Sequence, residues 1–301
     1  MKKLLFGIIL LIYTGTLFAL EPDLQFGNAD SSGVLFKPAM AGAASLLVPG
    51  GGQIYTKHYL KAGTFLALEA ITASFGYYWY KTSKNRSELA LDFLKEVKGD
   101  TGIDSARGVE RYRMKKHEAL EARHKFYNAM SWTVGVHAFN VLDALGGSGL
   151  IKSGGYRDPA VAGWLAAIPG LGLGQIYNGS LSKAGMVLMT QVSLGAVAFN
   201  YHRSMKEAEK QMAFNKDKLS YNELEIKNTI YDEFSGDWES KRRGAFRNRN
   251  TYLWYSLFFY FYSIFDAVVD AHLHDYNDKM ILWPDLVPKD DGAQLLLNVK
   301  F

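Results

Sequence analysis

The chain predicts an all-α integral membrane fold built from two tandem homologous halves, on three observations. The first is an internal repeat. Pro49-Gly50-Gly51-Gly52-Gln53-Ile54-Tyr55, followed by Lys61-Ala62-Gly63, returns as Pro169-Gly170-Leu171-Gly172-Leu173-Gly174-Gln175-Ile176-Tyr177, followed by Lys183-Ala184-Gly185. Further on, Asn140-Val141-Leu142-Asp143-Ala144 matches Ser263-Ile264-Phe265-Asp266-Ala267. Fixed-period self-similarity of this kind decides the architecture before any single element does. The second observation is distribution: strongly apolar runs alternate with long charged ones, the profile of membrane spans joined by hydrophilic segments. The third is the N-terminus, where Lys2 and Lys3 precede an apolar stretch from Leu4 to Tyr13 and small residues up to Ala19, ahead of Glu21-Pro22-Asp23. That pattern predicts a signal peptide over residues 1–19, with an uncleaved anchor as the alternative.

Bulk composition excludes several functions. With no cysteine in the chain there is no disulfide framework, thiolate metal site or cysteine nucleophile. A formal net charge of +4 is too small to imply nucleic acid by itself.

The elements follow in order. A polar lead occupies residues 20–37. The first half, 38–147, opens with a short small-residue run, Ala39 to Val48, which Pro49 stops; Pro49 to Gly52 is expected as a sharp turn whose bare backbone allows close approach. Leu60 to Tyr80 is about twenty residues, roughly 30 Å of helix and enough to cross a bilayer. Its end, Tyr77-Tyr78-Trp79-Tyr80, has the composition of an interfacial belt. The insert 81–125 mixes opposite charges at helical neighbour spacing and predicts a solvated amphipathic helix or helix pair, not a nucleic-acid patch. Phe126 to Leu145 is the second long run, and Gly-rich residues 148–158 form the linker. The second half, 159–275, repeats the plan: short run Ala160 to Ile168, glycine turn, long run Ala184 to Tyr201, charged insert 202–250, and long run Thr251 to Leu273.

Four spans with both inserts cytoplasmic is the preferred topology, since basic residues cluster near the membrane edge at Arg111 to Lys125 and at Lys241 to Arg249. The short runs then dip in and return or lie at the interface. In the tail, 276–301, Gln294 to Phe301 is β-prone; a single docked strand or a disordered tail is expected there. Its terminal Phe resembles outer-membrane barrel ends, but the alternating strands of a barrel are missing.

On these motifs the chain resembles a bacterial envelope family catalogued only as a domain of unknown function, the DUF5683 type. That family carries a signal peptide and a Pro-Gly-x-Gly-Gln-x-Tyr hairpin. The match extends through Arg247-Asn248-Arg249-Asn250 into Phe265-Asp266-Ala267-Val268-Val269-Asp270-Ala271-His272-Leu273, and the first half has Gly147 where the second has Asp270. The resemblance implies location and architecture, with no reaction, catalytic residue or cofactor.

Candidate functional residues fall into three sets. The hairpin set is Pro49, Gly50, Gly52, Gln53, Tyr55 and Pro169, Gly170, Gly174, Gln175, Tyr177. A primary amide beside unpaired turn groups ties the turn to a neighbouring helix, with the tyrosines as interfacial anchors; a phosphate or lipid-headgroup turn is the alternative. The intramembrane polar set begins with Glu69 and, at the repeat offset, Gln191; such a pair suits interhelical hydrogen bonding better than a symmetric proton carrier. His137, Asn140 and Asp143 lie on the equivalent helix of the first half to Asp266, Asp270 and His274, which share a helix face at four-residue spacing. The last three could pair with Arg247, Arg249 or the hairpin amides, or weakly bind a metal.

The expected function is therefore a non-enzymatic scaffold or assembly component of the bacterial envelope, most simply in the inner membrane. Its expected partners are the lipid bilayer and envelope proteins or a second copy of itself, with no nucleic acid. The rivals are a transporter or channel-like protein and a membrane-embedded metal enzyme using Asp266, Asp270 and His274.

Overall fold

The computed structural model describes residues 36–97, 103–150, 156–214, 221–274, 281–289 and 292–300. The expected signal peptide, 1–19, lies outside them, as do the polar lead up to residue 35 and much of the linker. The body is all-α. Its helices are α1 (Phe36–Leu47), α2 (Gly51–Tyr55), α3 (Tyr59–Val97), α4 (Ile103–Gly147), α5 (Pro159–Ala166), α6 (Leu173–Tyr177), α7 (Leu181–Phe214) and α8 (Tyr221–Leu273).

Proline placement accounts for the division into short and long helices. Pro38 and Pro159 sit in the first turns of α1 and α5, where a missing N–H costs nothing, and Pro49 and Pro169 lie in the breaks that follow. The side chain of Asp158 caps α5 by accepting from the Ala160 N–H at 2.8 Å. No proline interrupts α3, α4, α7 or α8. Each of these therefore runs without a break from an apolar run into charged sequence, so span and insert are parts of one helix and not separate elements.

Two expectations are corrected. Gly51 and Gly52 begin the short helix α2, so the turn is confined to Val48–Gly50, with Gly50 in the left-handed region at φ 76°. Helix α4 runs through Gly146 to Gly147, the last residue of the first half. The tail forms two strands, β1 (Ile281–Lys289) and β2 (Gly292–Lys300), in an antiparallel hairpin that pairs Ile281 with Lys300 and Lys289 with Gly292. Pro284 and Pro288 fit there because β1 is an edge strand.

The chain forms two compact units. One comprises residues up to Ala62, Ala138–Leu188 and Phe259 onward, and holds both glycine turns; the other comprises Gly63–His137 and Met189–Phe258. In the first unit the packing is small on small: Ala162, Ala166, Ala267 and Ala271 form a buried cluster with Tyr177 and Ile264 against it. In the second, Ala208 of α7 and Phe234 and Trp238 of α8 form a buried cluster, with Met114 of α4 and Met212 of α7 against it. Ser83 donates to the Ala119 carbonyl at 3.1 Å, Asn200 to Asn128 at 2.7 Å, and Arg113 to Gln211 at 2.6 Å. Trp238 Nε1–H donates to the buried carboxylate of Glu110. The charged inserts thus have a buried core of their own, with Glu110 hydrogen-bonded within it, beyond the solvated faces their charge pattern predicts.

Two helices, α7 over Leu181–Met212 and α8 over Glu233–Leu273, are long and apolar enough to cross a membrane. Among the described residues the runs 60–80 and 126–145 fall short of that measure. Glu69, His137, Asn140 and Asp143 dilute them, and tyrosine-rich ends add little hydropathy.

Candidate functional site

The site is the pair of glycine turns with the helix that each one grips. In the first turn, a methyl at Gly52 would lie 2.3 Å from the Ala41 carbonyl oxygen and 2.5 Å from the Ala144 methyl. Only a residue without Cβ fits. That proximity brings Gln53 against α4, where its Nε2 donates to the Asn140 carbonyl and to Asp143 Oδ2, both at 3.0 Å. Ser45 Oγ donates to Gln53 Oε1 at 3.1 Å and accepts from the Gly52 N–H at 2.9 Å. Asn140 closes the circuit: its Oδ1 accepts from the Gly50 N–H at 3.2 Å and its Nδ2 donates to the Ser45 carbonyl at 3.2 Å. Ser45, Gln53, Asn140 and Asp143 are all buried, and each is hydrogen-bonded, as buried polar groups must be.

The second turn repeats the plan with different closing groups. Gly174 is hemmed in by the Ala162 oxygen at 2.5 Å and by the Ala166 and Ala267 methyls. Gln175 Nε2 donates to the Ser263 carbonyl at 2.8 Å and to Asp266 Oδ2 at 3.3 Å. Here Ala166 occupies the place of Ser45, and Ser263 that of Asn140. Gln175 Oε1, fully buried, consequently has no hydrogen-bond partner among the described residues. Asn178 adds a bond of its own, donating from Nδ2 to the Ala267 carbonyl at 2.7 Å.

The carboxylates are neutralised by lysines from the Lys-Ala-Gly motif. Lys183 Nζ lies 3.2 Å from Asp266 Oδ1 and 2.8 Å from Asp270 Oδ1. Its first-half counterpart, Lys61, lies 3.9 Å from Asp143 Oδ1, and that same oxygen accepts from Ser182 Oγ at 2.5 Å. The link from Ser182 to Asp143 joins the start of α7, in the second half, to the end of α4, in the first.

The remaining sequence candidates fall in known places. Glu69 accepts from or pairs with His137 Nδ1 at 3.1 Å. Gln191 and Ser256 exchange two bonds, Gln191 Nε2 to the Ser256 carbonyl at 3.2 Å and Ser256 Oγ to Gln191 Oε1 at 3.1 Å. Both positions therefore make hydrogen bonds between helices. Tyr55 is exposed, whereas the Tyr177 hydroxyl accepts from the Asp158 N–H at 3.1 Å with Arg157 over its ring, so it ties down a loop. Pro49, Pro169 and Gly170 shape the breaks, and Gly170 has φ 84°.

The expected partners of Asp266 and Asp270 are half correct. The hairpin amide of Gln175 reaches Asp266, but Arg249 goes to Asn250 and His202, and Lys183 takes the role proposed for arginine. His274 stands just past the end of α8, and no group of three histidine or carboxylate side chains among the described residues is arranged to hold a metal. Sequence reading missed Ser45, Lys61, Lys183 and Ser182. The lysines were visible as an invariant position of the repeat.

With this geometry in place, the sequence pattern of a family of unknown function, DUF5683, matches the chain twice, over residues 35–151 and 155–293. The chain belongs to that family. Nothing among curated proteins or solved structures matches it.

Proposed function

We propose that the chain is an integral membrane protein of the bacterial envelope, placed in the inner membrane after export by its N-terminal signal. In this reading it acts as a non-enzymatic scaffold or assembly component. The observation that carries the membrane reading is the surface of α8. Only 17% of its most apolar stretch is buried, and Trp254, Phe258, Phe261 and Phe265 stand exposed on it. Contiguous apolar surface of that size is not tolerated in water without a covering. The matching face of α3 exposes Leu66, Ile71, Phe75 and Tyr78, and the ends of α1 and α5 expose Leu46, Leu47 and Trp164. Four spans at 60–80, 126–145, 184–201 and 251–273 give these faces lipid contact, with α1 and α5 at the interface.

The scaffold reading is supported by the use of the motif's polar groups. Gln53, Asn140, Asp143, Gln175 and Asp266 are spent on one another, on lysines and on helix backbone, which is packing chemistry. The unmatched Glu69–His137 pair weighs against a carrier with two equivalent sites. Lipid is the first partner, and envelope proteins or a second copy are the others.

Asp266→Asn combined with Asp270→Asn tests this. A packing role predicts a protein that fails to accumulate, because Lys183 is left without its counter-ions. A metal or proton-path role predicts normal accumulation with lost activity. Purified protein in liposomes is expected to move no ion or solute under an imposed gradient, and reporters placed in each insert are expected to read cytoplasmic.

A further inference from the structure

Along the exposed side of α8, the side-chain chemistry changes abruptly. Arg243, Phe246 and Arg247 are exposed, and Trp254 and Phe258 follow on the same side. At 100° per residue, positions 243, 247, 254 and 258 fall within about 60° of arc, with Trp254 roughly 10 Å along the axis from Arg247. Five basic residues, Lys241, Arg242, Arg243, Arg247 and Arg249, crowd this segment, and Glu239 forms ion pairs with two of them. Glu239 is taken by Arg242 at 2.7 Å and by Arg243 at 3.3 Å. Arg247 has no ion pair among the described residues. Arg249 is held by Asn250, and its guanidinium lies 4.8 Å over the Phe246 ring. Ser240, Arg242, Arg243, Phe246 and Arg247 line an open recess of about 770 Å³.

We infer that this recess binds the phosphate of an anionic phospholipid headgroup. The inference rests on the membrane-spanning reading above. Guanidiniums present paired donors that match phosphate oxygens, and the Ser240 hydroxyl adds another donor. Trp254 is placed where amphipathic rings sit at a bilayer edge, and Phe258 continues into the acyl region. A basic cluster immediately beside a span on the cytoplasmic side meets the negative surface potential of that leaflet. The abrupt change from arginine to aromatic side chains thus sets the depth of α8 in the bilayer.

The test uses the full-length protein in detergent with fluorescently labelled phosphatidylglycerol, competed by unlabelled phosphatidylglycerol, phosphatidylcholine or inorganic phosphate. Phosphatidylglycerol is expected to compete at least roughly tenfold better than phosphatidylcholine, and millimolar phosphate not to compete. R243Q/R247Q should weaken binding by roughly fivefold per arginine, about 25-fold together, while R243K/R247K keeps most of it. K95Q, an exposed lysine near the far end of α3, should change nothing. The inference is overturned if helical R243Q/R247Q binds as tightly as the unaltered protein, if phosphatidylcholine competes equally, or if K95Q loses as much. Displacement by millimolar phosphate would also overturn it, in favour of a free-anion site. Labelled lipid binding a chain that alkaline washing strips from membranes would sink the spanning reading and leave the headgroup site standing.

Discussion

In the first glycine turn, both ends of the Gln53 amide have partners; in the second, only the nitrogen of Gln175 does. Ser45 makes the difference by completing a neutral circuit with Gln53 and Asn140, where the second half has Ala166. The second half compensates elsewhere, with a lysine bridging two carboxylates and an Asn178 bond to α8. One backbone plan thus carries a lysine–carboxylate pair in both halves, with an added neutral circuit through Ser45 in the first and a second carboxylate, Asp270, in the second. The close approach of glycine to helix is common to both, and the closing chemistry can drift because either solution satisfies the glutamine nitrogen.

Removing the shared glutamines should expose this difference most strongly. Gln53→Ala removes the amide that joins Ser45 to the Asn140 carbonyl and Asp143, and is expected to destabilise by about 3 kcal/mol. Gln175→Ala, which strands fewer groups, should cost about half as much. Thermal unfolding of both variants in detergent measures the ratio; equal losses would break the comparison.

Acid should act on the first half through His124. Burial, with Arg203 and His117 nearby, pushes the His124 imidazole down to about 4, and its ring contacts Ser204 at 2.6 Å. At the same repeat register, set by Asp143 and Asp266, the second half has Arg247. The unfolded chain protonates His124 first as pH falls below about 6.5, so its contribution is intact above that value and lost progressively down to about 4. The loss amounts to roughly 3 kcal/mol. Denaturation midpoints across that window should fall, and His124→Asn should flatten the fall.

Exchanging the closing groups gives a smaller effect. Ser45→Ala should cost about 1 to 2 kcal/mol by leaving the Gln53 carbonyl and the Gly52 N–H unpaired. Ala166→Ser places a hydroxyl where Gln175 Oε1 has none and should stabilise by about 1 kcal/mol. Loss of stability in Ala166→Ser would show that the second turn is not equivalent to the first. The smallest effect belongs to the residue after each short helix. Lys57 adopts φ 66° where its counterpart Gly179 has φ 84°. Lys57→Gly should therefore gain a few tenths to about 1 kcal/mol, and Gly179→Ala should lose a similar amount.

The repeat made much of this legible. Two copies of Pro-Gly, Gln and Asp-Ala place the turn, the gripping amide and the helix it grips, because each residue type has one physical use in that setting. The Glu69 to Gln191 exchange points to hydrogen bonding between helices, and each residue makes such a bond. What stayed hidden depends on contacts across long sequence separations. Ser45 looked like one more small residue in a small-residue helix. Asp266 and Asp270 at four-residue spacing pointed to Arg247, Arg249 or the hairpin amides as partners because nothing local showed Lys183 bridging the carboxylates. Helix lengths were misjudged for another reason: hydropathy changes at Tyr80 and Asn250, but backbone hydrogen bonding does not, so span and insert continue as one helix.

The membrane account is tested most directly by alkaline carbonate extraction of membranes from cells that make the intact chain. The protein is expected to remain in the pellet and to leave it only with detergent. Recovery in the supernatant without detergent would contradict the assignment of lipid to the exposed faces of α3 and α8.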